Sequence, residues 1–371
     1  MKVGILGCRG IPNHYGGFEQ FAEHLSVGLV ELGVDVWVYN SHHHPYKEKK
    51  WKGVNIIRCK DPEDKIRSLG QIVYDFNCIL DSRGRDFDII LQLGYVTSSV
   101  WYKLLPKKTK IITNMDGLEW QRKKYNFFIK WFIKYTEKLA VKSSNMLIAD
   151  SEIVLDYLIN NHNIRTTYIP YGADIFSTPN PELLETFKVL PNQYYLVIAR
   201  IQPDNHIEEI IKGVLISGSK LPLLVIGNIY NKHGEFLKKK YASDQIQFLG
   251  SIFWKETLNQ LRHYSKLYFH GHSVGGTNPS LLEAMAASAP VCAHDNPFNH
   301  SVLGKDAVFF KNEYQVAEII NHVSLRPETD SSRIRNMEKI KTLYVWNDII
   351  SAYHHEFLNQ IQENSITNER I

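Results

Sequence analysis

Between His270 and Met285 the chain reads His-Gly-His-Ser-Val-Gly-Gly-Thr-Asn-Pro-Ser-Leu-Leu-Glu-Ala-Met, a run of small residues entering a helical pattern. Asn278 suits the N-cap and Pro279 the first helical position. A helix start carries unpaired N–H groups and partial positive charge, so Gly276, Thr277, Asn278, Pro279 and Ser280 predict a cradle for a diphosphate. Glu283, one turn in, is expected to accept hydrogen bonds from ribose hydroxyls, although Ser280-x-x-Glu283 also matches a capping box. Arg200 ends the strand pattern 194–199. A strand-end guanidinium can bind a departing diphosphate by paired hydrogen bonds, stabilising charge as it develops.

The first half offers a second set. Residues 7–19 contain Gly7, Gly10, Gly16 and Gly17 ahead of a helical pattern, where Gly16 and Gly17 would let a backbone approach phosphate or sugar hydroxyls. The spacing is not the dinucleotide fingerprint GxGxxG, and a loop containing Pro12 delays the helix to about Phe18, which weighs against a nicotinamide-dependent oxidoreductase. Asp116 and Glu119 follow another strand pattern and could bond sugar or acceptor hydroxyls; the bland alternative is an Asp-Gly turn before a helix cap. His42, His43 and His44 are consecutive and cannot readily converge on one ion, so no metal site is expected.

Residues 121–142 hold seven Lys and Arg against one Glu, although the whole chain carries a net charge of only +4. Tyr125, Phe127, Phe128, Trp131, Phe132 and Tyr135 interleave with them. Such a helix predicts an interfacial contact with an anionic membrane through Lys123, Lys124, Phe128, Trp131 and Lys134; the alternative is a core-facing aromatic stripe with a solvated basic side. The overall charge is too small to point to nucleic acid. No run of 18 apolar residues and no signal-peptide pattern is present, and Cys8, Cys59, Cys78 and Cys292 are scattered, so a chain in a reducing cytosol is expected, peripheral to the inner face of the membrane if at all.

Elements that could position these groups recur in two passes. Apolar strand patterns at 2–6, 34–39, 54–59, 87–93, 110–114, 145–149 and 166–169 alternate with helical ones such as 18–32, which ends at Gly33. The rhythm restarts with strands at 194–199, 221–227, 245–249, 267–270 and 289–293 and helices at 206–217 and 281–287. Alternation of this kind predicts an α/β chain with two doubly wound, Rossmann-like parallel sheets. The first domain is expected at 1–185 and the second at 190–342, with a linker at 180–192 and a long amphipathic helix at 343–371 folding back. Ligands bind at the carboxyl ends of such sheets, so a cleft faced by both is the expected active site.

On Tyr15-Gly16-Gly17-Phe18-Glu19, Asp116-Gly117-Leu118-Glu119-Trp120, Ala199-Arg200-Ile201-x-Pro203-x-Asn205 and Gly275 through Met285, the chain resembles glycosyltransferase family 4 over nearly its whole length. The resemblance is closer to the branch with a rhamnosyltransferase-type N-terminal domain. It implies the GT-B fold and metal-independent transfer with retention, from a nucleotide-diphosphate sugar as co-substrate and with no cofactor. Arg200 falls on the family's diphosphate-binding arginine and Glu283 on the second glutamate of its Glu-x7-Glu pair; beside these, Gly16 and Gly17 are expected to face the donor or acceptor, Asp116 to orient the sugar, and Phe18, Glu119 and His272 to face sugar or acceptor. Two positions depart: Gly275 stands where the first glutamate would, and Asn205 where a lysine usually follows the arginine by five. The resemblance therefore implies a deoxysugar donor such as dTDP-L-rhamnose, and a saccharide acceptor, lipid-diphosphate-linked, in cell-surface polysaccharide synthesis. The rival readings are a sugar-nucleotide epimerase of the same fold, for which no acid–base pair is evident, and a non-catalytic nucleotide-sugar or polysaccharide-binding protein.

Overall fold

The computed structural model describes residues 1–14, 16–66, 69–322 and 328–368. Tyr15 and the last three residues of the expected C-terminal segment lie outside them. The chain divides into two compact units: Met1–Gln121, Tyr125–Tyr171 and Trp346–Ile371 form the first, and Arg122–Lys124 with Gly172–Val345 the second.

The first unit is built on eight strands: β1 (Lys2–Leu6), β2 (Asp35–Ser41), β3 (Lys50–Trp51), β4 (Val54–Cys59), β5 (Ile89–Leu93), β6 (Lys110–Asn114), β7 (Met146–Ala149) and β8 (Thr166–Tyr168). Their order is β3-β4-β2-β1-β5-β6-β7-β8. Every neighbouring pair is parallel except β3 with β4, which turns back at Lys52-Gly53, both at positive φ. Strands β1, β5 and β7 are buried almost throughout, as a parallel sheet covered on both faces requires. The helix Gly17–Glu31 buries Phe21, Ala22, Leu25 and Leu29 along one face.

The C-terminal helix Trp346–Asn368 belongs to this unit and completes its core. Tyr353 and Phe357 are fully buried, and Asn114 Nδ2 donates to Tyr353 Oη at 3.0 Å. Phe21 packs on Tyr353 with ring centroids 5.3 Å apart, and His24 stacks on Trp346 at 4.3 Å. Gly28 allows the approach: a β-carbon there would meet Ile350 Cδ1 at 2.3 Å.

The second unit holds β9 (Tyr195–Ile198), β10 (Leu223–Ile226), β11 (Ile246–Gly250), β12 (Leu267–His270), β13 (Val291–His294) and β14 (Val308–Phe310), all parallel, in the order β11-β10-β9-β12-β13-β14. Its core gathers Val197, Ile210, Val225, Phe269 and Phe310 between sheet and helices.

Several boundaries differ from those read in the sequence. The expected linker at 180–192 is part of the second unit: Asn180 caps the 3-10 turn Pro181–Phe187, Leu184 is buried, and the Asn180 amide donates to Gln260 Oε1. The unit boundary falls at Tyr171/Gly172 instead. The final helix begins at Trp346, not 343, because the preceding helix Glu328–Leu343 stays with the second unit.

Candidate functional site

In the second unit the carboxyl ends of β9, β12 and β13 converge on one mouth. Beyond β9 the chain passes Arg200 and makes the 3-10 turn Pro203–Asn205, and His206 at positive φ (48°) launches the helix Ile207–Ile216. Beyond β12 runs the loop from Gly271 to Asn278. The two are laced together. Asn205 Nδ2 donates to the Arg200 carbonyl at 2.6 Å, Asn205 Oδ1 pairs with His272 Nδ1 at 2.9 Å, and Ser273 Oγ donates to the Asp204 carbonyl at 2.9 Å. Gly271 permits this contact, since a β-carbon there would sit 1.9 Å from the Asn205 carbonyl oxygen.

The helix Pro279–Ala286 opens as its sequence predicts. Asn278 is the N-cap, its Oδ1 accepting from the Ser280 amide at 2.9 Å, with Pro279 first. The donors for an anion are nevertheless not those of the helix. Pro279 has none, the Ser280 amide goes to the cap side chain, and the Leu281 and Leu282 amides go to the Asn278 carbonyl. The backbone amides of Gly275, Gly276 and Asn278 have no hydrogen-bond partner among the described residues. The amide-rich feature is thus the loop ahead of the helix.

Ser280 is a correction to the expected cradle. Its hydroxyl pairs with Tyr268 Oη at 2.8 Å and lies 3.4 Å from the Ile198 carbonyl, inside the unit. The capping-box alternative also fails, because the cap lies at Asn278. Glu283 accepts from the guanidinium of Arg262, whose side chain is 2% exposed and which also reaches Asn259 and Ser280. Nothing in the sequence near either residue announces that pair, since Arg262 sits on another helix.

Arg200 is exposed and makes no ion pair with a described residue. Three imidazoles of this mouth, His272, His270 and His294, are kept neutral. Burial pulls His272 well below its ordinary value, with help from His270, Arg122 and Arg200, against a small upward pull from the Val274 backbone. Burial lowers His270 to about 3, and burial with His206 and Lys123 lowers His294 to about 4. His206 stacks on His294 at 3.9 Å. Sequence reading gave His206, His270 and His294 no role, because histidines at a helix start or a strand end carry no spacing signal.

In the first unit, Gly16 is the N-cap of Gly17–Glu31 in extended backbone, and Gly17 is exposed. Phe18 is half-buried beside Gly94, while Glu19 turns inward and accepts from the Arg9 amide at 2.7 Å. Asn40, also missed, clamps the glycine loop: it accepts from the Ile11 amide at 3.0 Å and donates to the Ile11 carbonyl at 2.8 Å. Asp116 has positive φ (46°), and Tyr171 Oη donates to its carboxylate at 3.3 Å. Glu119 begins the short 3-10 turn Glu119–Gln121, half-buried. His42, His43 and His44 each bond backbone: the Asp61 amide, the Asp61 carbonyl and the Pro12 carbonyl.

The basic aromatic segment separates into two parts. Its helix is Phe127–Ser143, started by Asn126, whose side chain accepts from the Ile129 amide. Ile133, Thr136, Glu137, Leu139 and Ala140 are buried, while Phe128 is 78% and Trp131 63% exposed beside the exposed Lys134. Lys123 and Lys124 do not lie on this helix, contrary to expectation. The Lys123 amide donates to Asp204 Oδ1 at 2.8 Å and Lys124 Nζ to Gln202 Oε1 at 3.2 Å, so both join the Arg200 loop of the second unit. No helix among the described residues is long and apolar enough to cross a membrane.

Against this geometry stand the likenesses to known proteins. Residues 185–340 match the family described as glycosyl transferases group 1, and residues 1–174 match a domain of unknown function, DUF1972. No curated protein sequence matches the chain. Among solved structures, sucrose-phosphate synthase from Thermosynechococcus elongatus is 15% identical, with a TM-score of 0.80 over 98% of this chain and 99% of that one. Anabaena Alr3699/HepE in complex with UDP and glucose is 14% identical, with a TM-score of 0.75 over 97% and 100%. A glycosyltransferase from Rickettsia africae is 14% identical, with a TM-score of 0.70 over 97% and 98%. These likenesses show the fold: the chain has the two-domain α/β GT-B fold with parallel sheets.

Proposed function

We propose that this chain, whose residues 185–340 form a group 1 glycosyl transferase domain, moves L-rhamnose from dTDP-L-rhamnose to a saccharide acceptor, with retention and without a metal. The observation that carries the reading is the second unit's mouth: an exposed Arg200 without an ion-pair partner among the described residues shares it with the unpartnered amides of Gly275, Gly276 and Asn278. Such groups stabilise a leaving diphosphate as the sugar bond breaks. The acceptor hydroxyl enters on the same face, and its proton passes to a phosphate oxygen of the donor. Gly16, Gly17 and Asp116 of the first unit are assigned to the approach and orientation of the reacting hydroxyls. UDP and glucose in the similar HepE structure support a nucleotide-sugar ligand. The bare Gly275, where the resemblance expects a carboxylate, supports a sugar with fewer hydroxyls to bind. A thermal-shift screen over dTDP-, UDP- and GDP-sugars tests this. A donor at about 100 times its Kd stabilises by roughly 2.7 kcal/mol, and dTDP-L-rhamnose is expected to give the largest shift. Absence of a shift with every nucleotide sugar refutes the reading.

The acceptor is assigned to a lipid-diphosphate carrier at an anionic membrane. Support comes from the helix Phe127–Ser143, whose outward Phe127, Phe128, Trp131 and Tyr135 run alongside exposed Lys134 and Lys138. Aromatic side chains settle at the headgroup boundary, and each basic residue near an anionic surface contributes about 1 kcal/mol. Phe128→Ala with Trp131→Ala is expected to lower partitioning onto phosphatidylglycerol vesicles at least tenfold, measured by co-sedimentation. Equal partitioning of variant and wild type removes the assignment.

A further inference from the structure

We infer that His272 is the sugar-facing acceptor of the second unit, presenting the lone pair of Nε2 to a single hydroxyl in the space that the missing side chain of Gly275 leaves open. The inference rests on the donor reading above and names the group that replaces the expected carboxylate. It also gives Asn205 a positioning role.

The first observation is steric. A β-carbon on Gly275 would lie 2.7 Å from His272 Nε2, and Gly275 has a φ of +150°, which side chains rarely adopt. A side chain at 275 and the imidazole in its present position therefore cannot coexist. The departure at Gly275 and the presence of His272 are two halves of one arrangement.

The second observation sets the tautomer. The Arg200 carbonyl can only accept, so the Asn205 atom 2.6 Å from it is the amide nitrogen, and Oδ1 is left facing His272 Nδ1 at 2.9 Å. An oxygen acceptor there requires the proton on Nδ1. In a neutral ring Nε2 is then bare and can only accept. It is not among the sealed, unsatisfied atoms of the interior, unlike the Nε2 atoms of His206 and His270.

The third observation concerns charge. Burial, His270, Arg122 and Arg200 all oppose protonation of His272. An uncharged nitrogen with one lone pair takes one hydroxyl, whereas a carboxylate takes two. Asn205, standing where the resemblance expects lysine, acts through its neighbours: one amide fixes both the Arg200 carbonyl and the ring.

Binding of dTDP, dTDP-L-rhamnose, UDP and UDP-glucose to the full chain by calorimetry tests this. The readout is the ratio of nucleotide-sugar Kd to nucleoside-diphosphate Kd for whichever pair binds. His272→Ala is expected to worsen that ratio at least fivefold while the diphosphate Kd stays within twofold. Gly275→Ala, which displaces the ring, is expected to worsen it similarly in the wild-type background and to add nothing in the His272→Ala background. Equal weakening of diphosphate and sugar nucleotide, or an unchanged ratio, overturns the inference and leaves the donor reading intact. A wild type that binds none of the four ligands overturns both.

Discussion

Arg200→Ala is expected to lower kcat/KM for sugar transfer by about 10²–10³-fold, the usual cost of removing one preorganised donor from a developing negative charge. The effect should fall mainly on kcat, because the diphosphate becomes fully charged only as it departs. Loss of fold does not compete as an explanation. The Arg200 side chain is exposed and unpaired among the described residues, and its carbonyl, the atom Asn205 holds, survives the substitution. Arg200→Lys should recover part of the loss, since an ammonium restores charge without the planar fork. Steady-state kinetics with a circular-dichroism check of folding decides the matter. Full activity in the folded alanine variant would remove the chemistry proposed for this mouth.

Glu283→Ala should act in the opposite manner, through stability. The Arg262 side chain is 2% exposed, and the carboxylate it donates to is 16% exposed. Deleting the carboxylate leaves a guanidinium in the interior with its charge uncompensated, a change that typically costs about 3–5 kcal/mol. For a domain of this size that lowers the melting temperature of the second unit by roughly 10 °C. Glu283→Gln keeps an oxygen for the guanidinium and should cost less. Scanning calorimetry measures both. A shift below about 2 °C in the alanine variant would mean that Arg262 finds another partner. Activity lost with Glu283 therefore speaks to ribose binding only after stability has been matched.

The comparison of sequence with structure divides along the range of the interactions involved. Asn278 and Pro279 carry their positions in their own chemistry, a side-chain acceptor and a missing N–H, and the helix begins where those demand. The buried parallel strands were legible because a sheet covered on both faces needs continuous apolar runs. Contacts between distant segments left no such trace. The Arg262–Glu283 pair and the Asn205–His272 pair join residues 21 and 67 apart in sequence. Periodicity also misled at Lys123 and Lys124. Their charge resembles that of the helix that follows, but Asn126 starts that helix after them, and Asp204 and Gln202 take hold of the preceding stretch. Between 294 and 342 the helix Pro297–Leu303 and the three-residue strand β14 went unread, being too short to establish a period, and the helix Glu313–His322 went unread although Val316, Ile319 and Ile320 stand at helical spacing.

The return of Trp346–Asn368 to the first unit makes that unit a host and the stretch from Gly172 to Val345 a guest inserted within it. Synthesis from the amino end delivers the whole guest before the host has its last helix. Until Tyr353 and Phe357 arrive, the apolar faces around Phe21, Gly28 and Asn114 stay uncapped on the nascent chain. The guest is therefore complete in sequence before the host receives the helix that closes it.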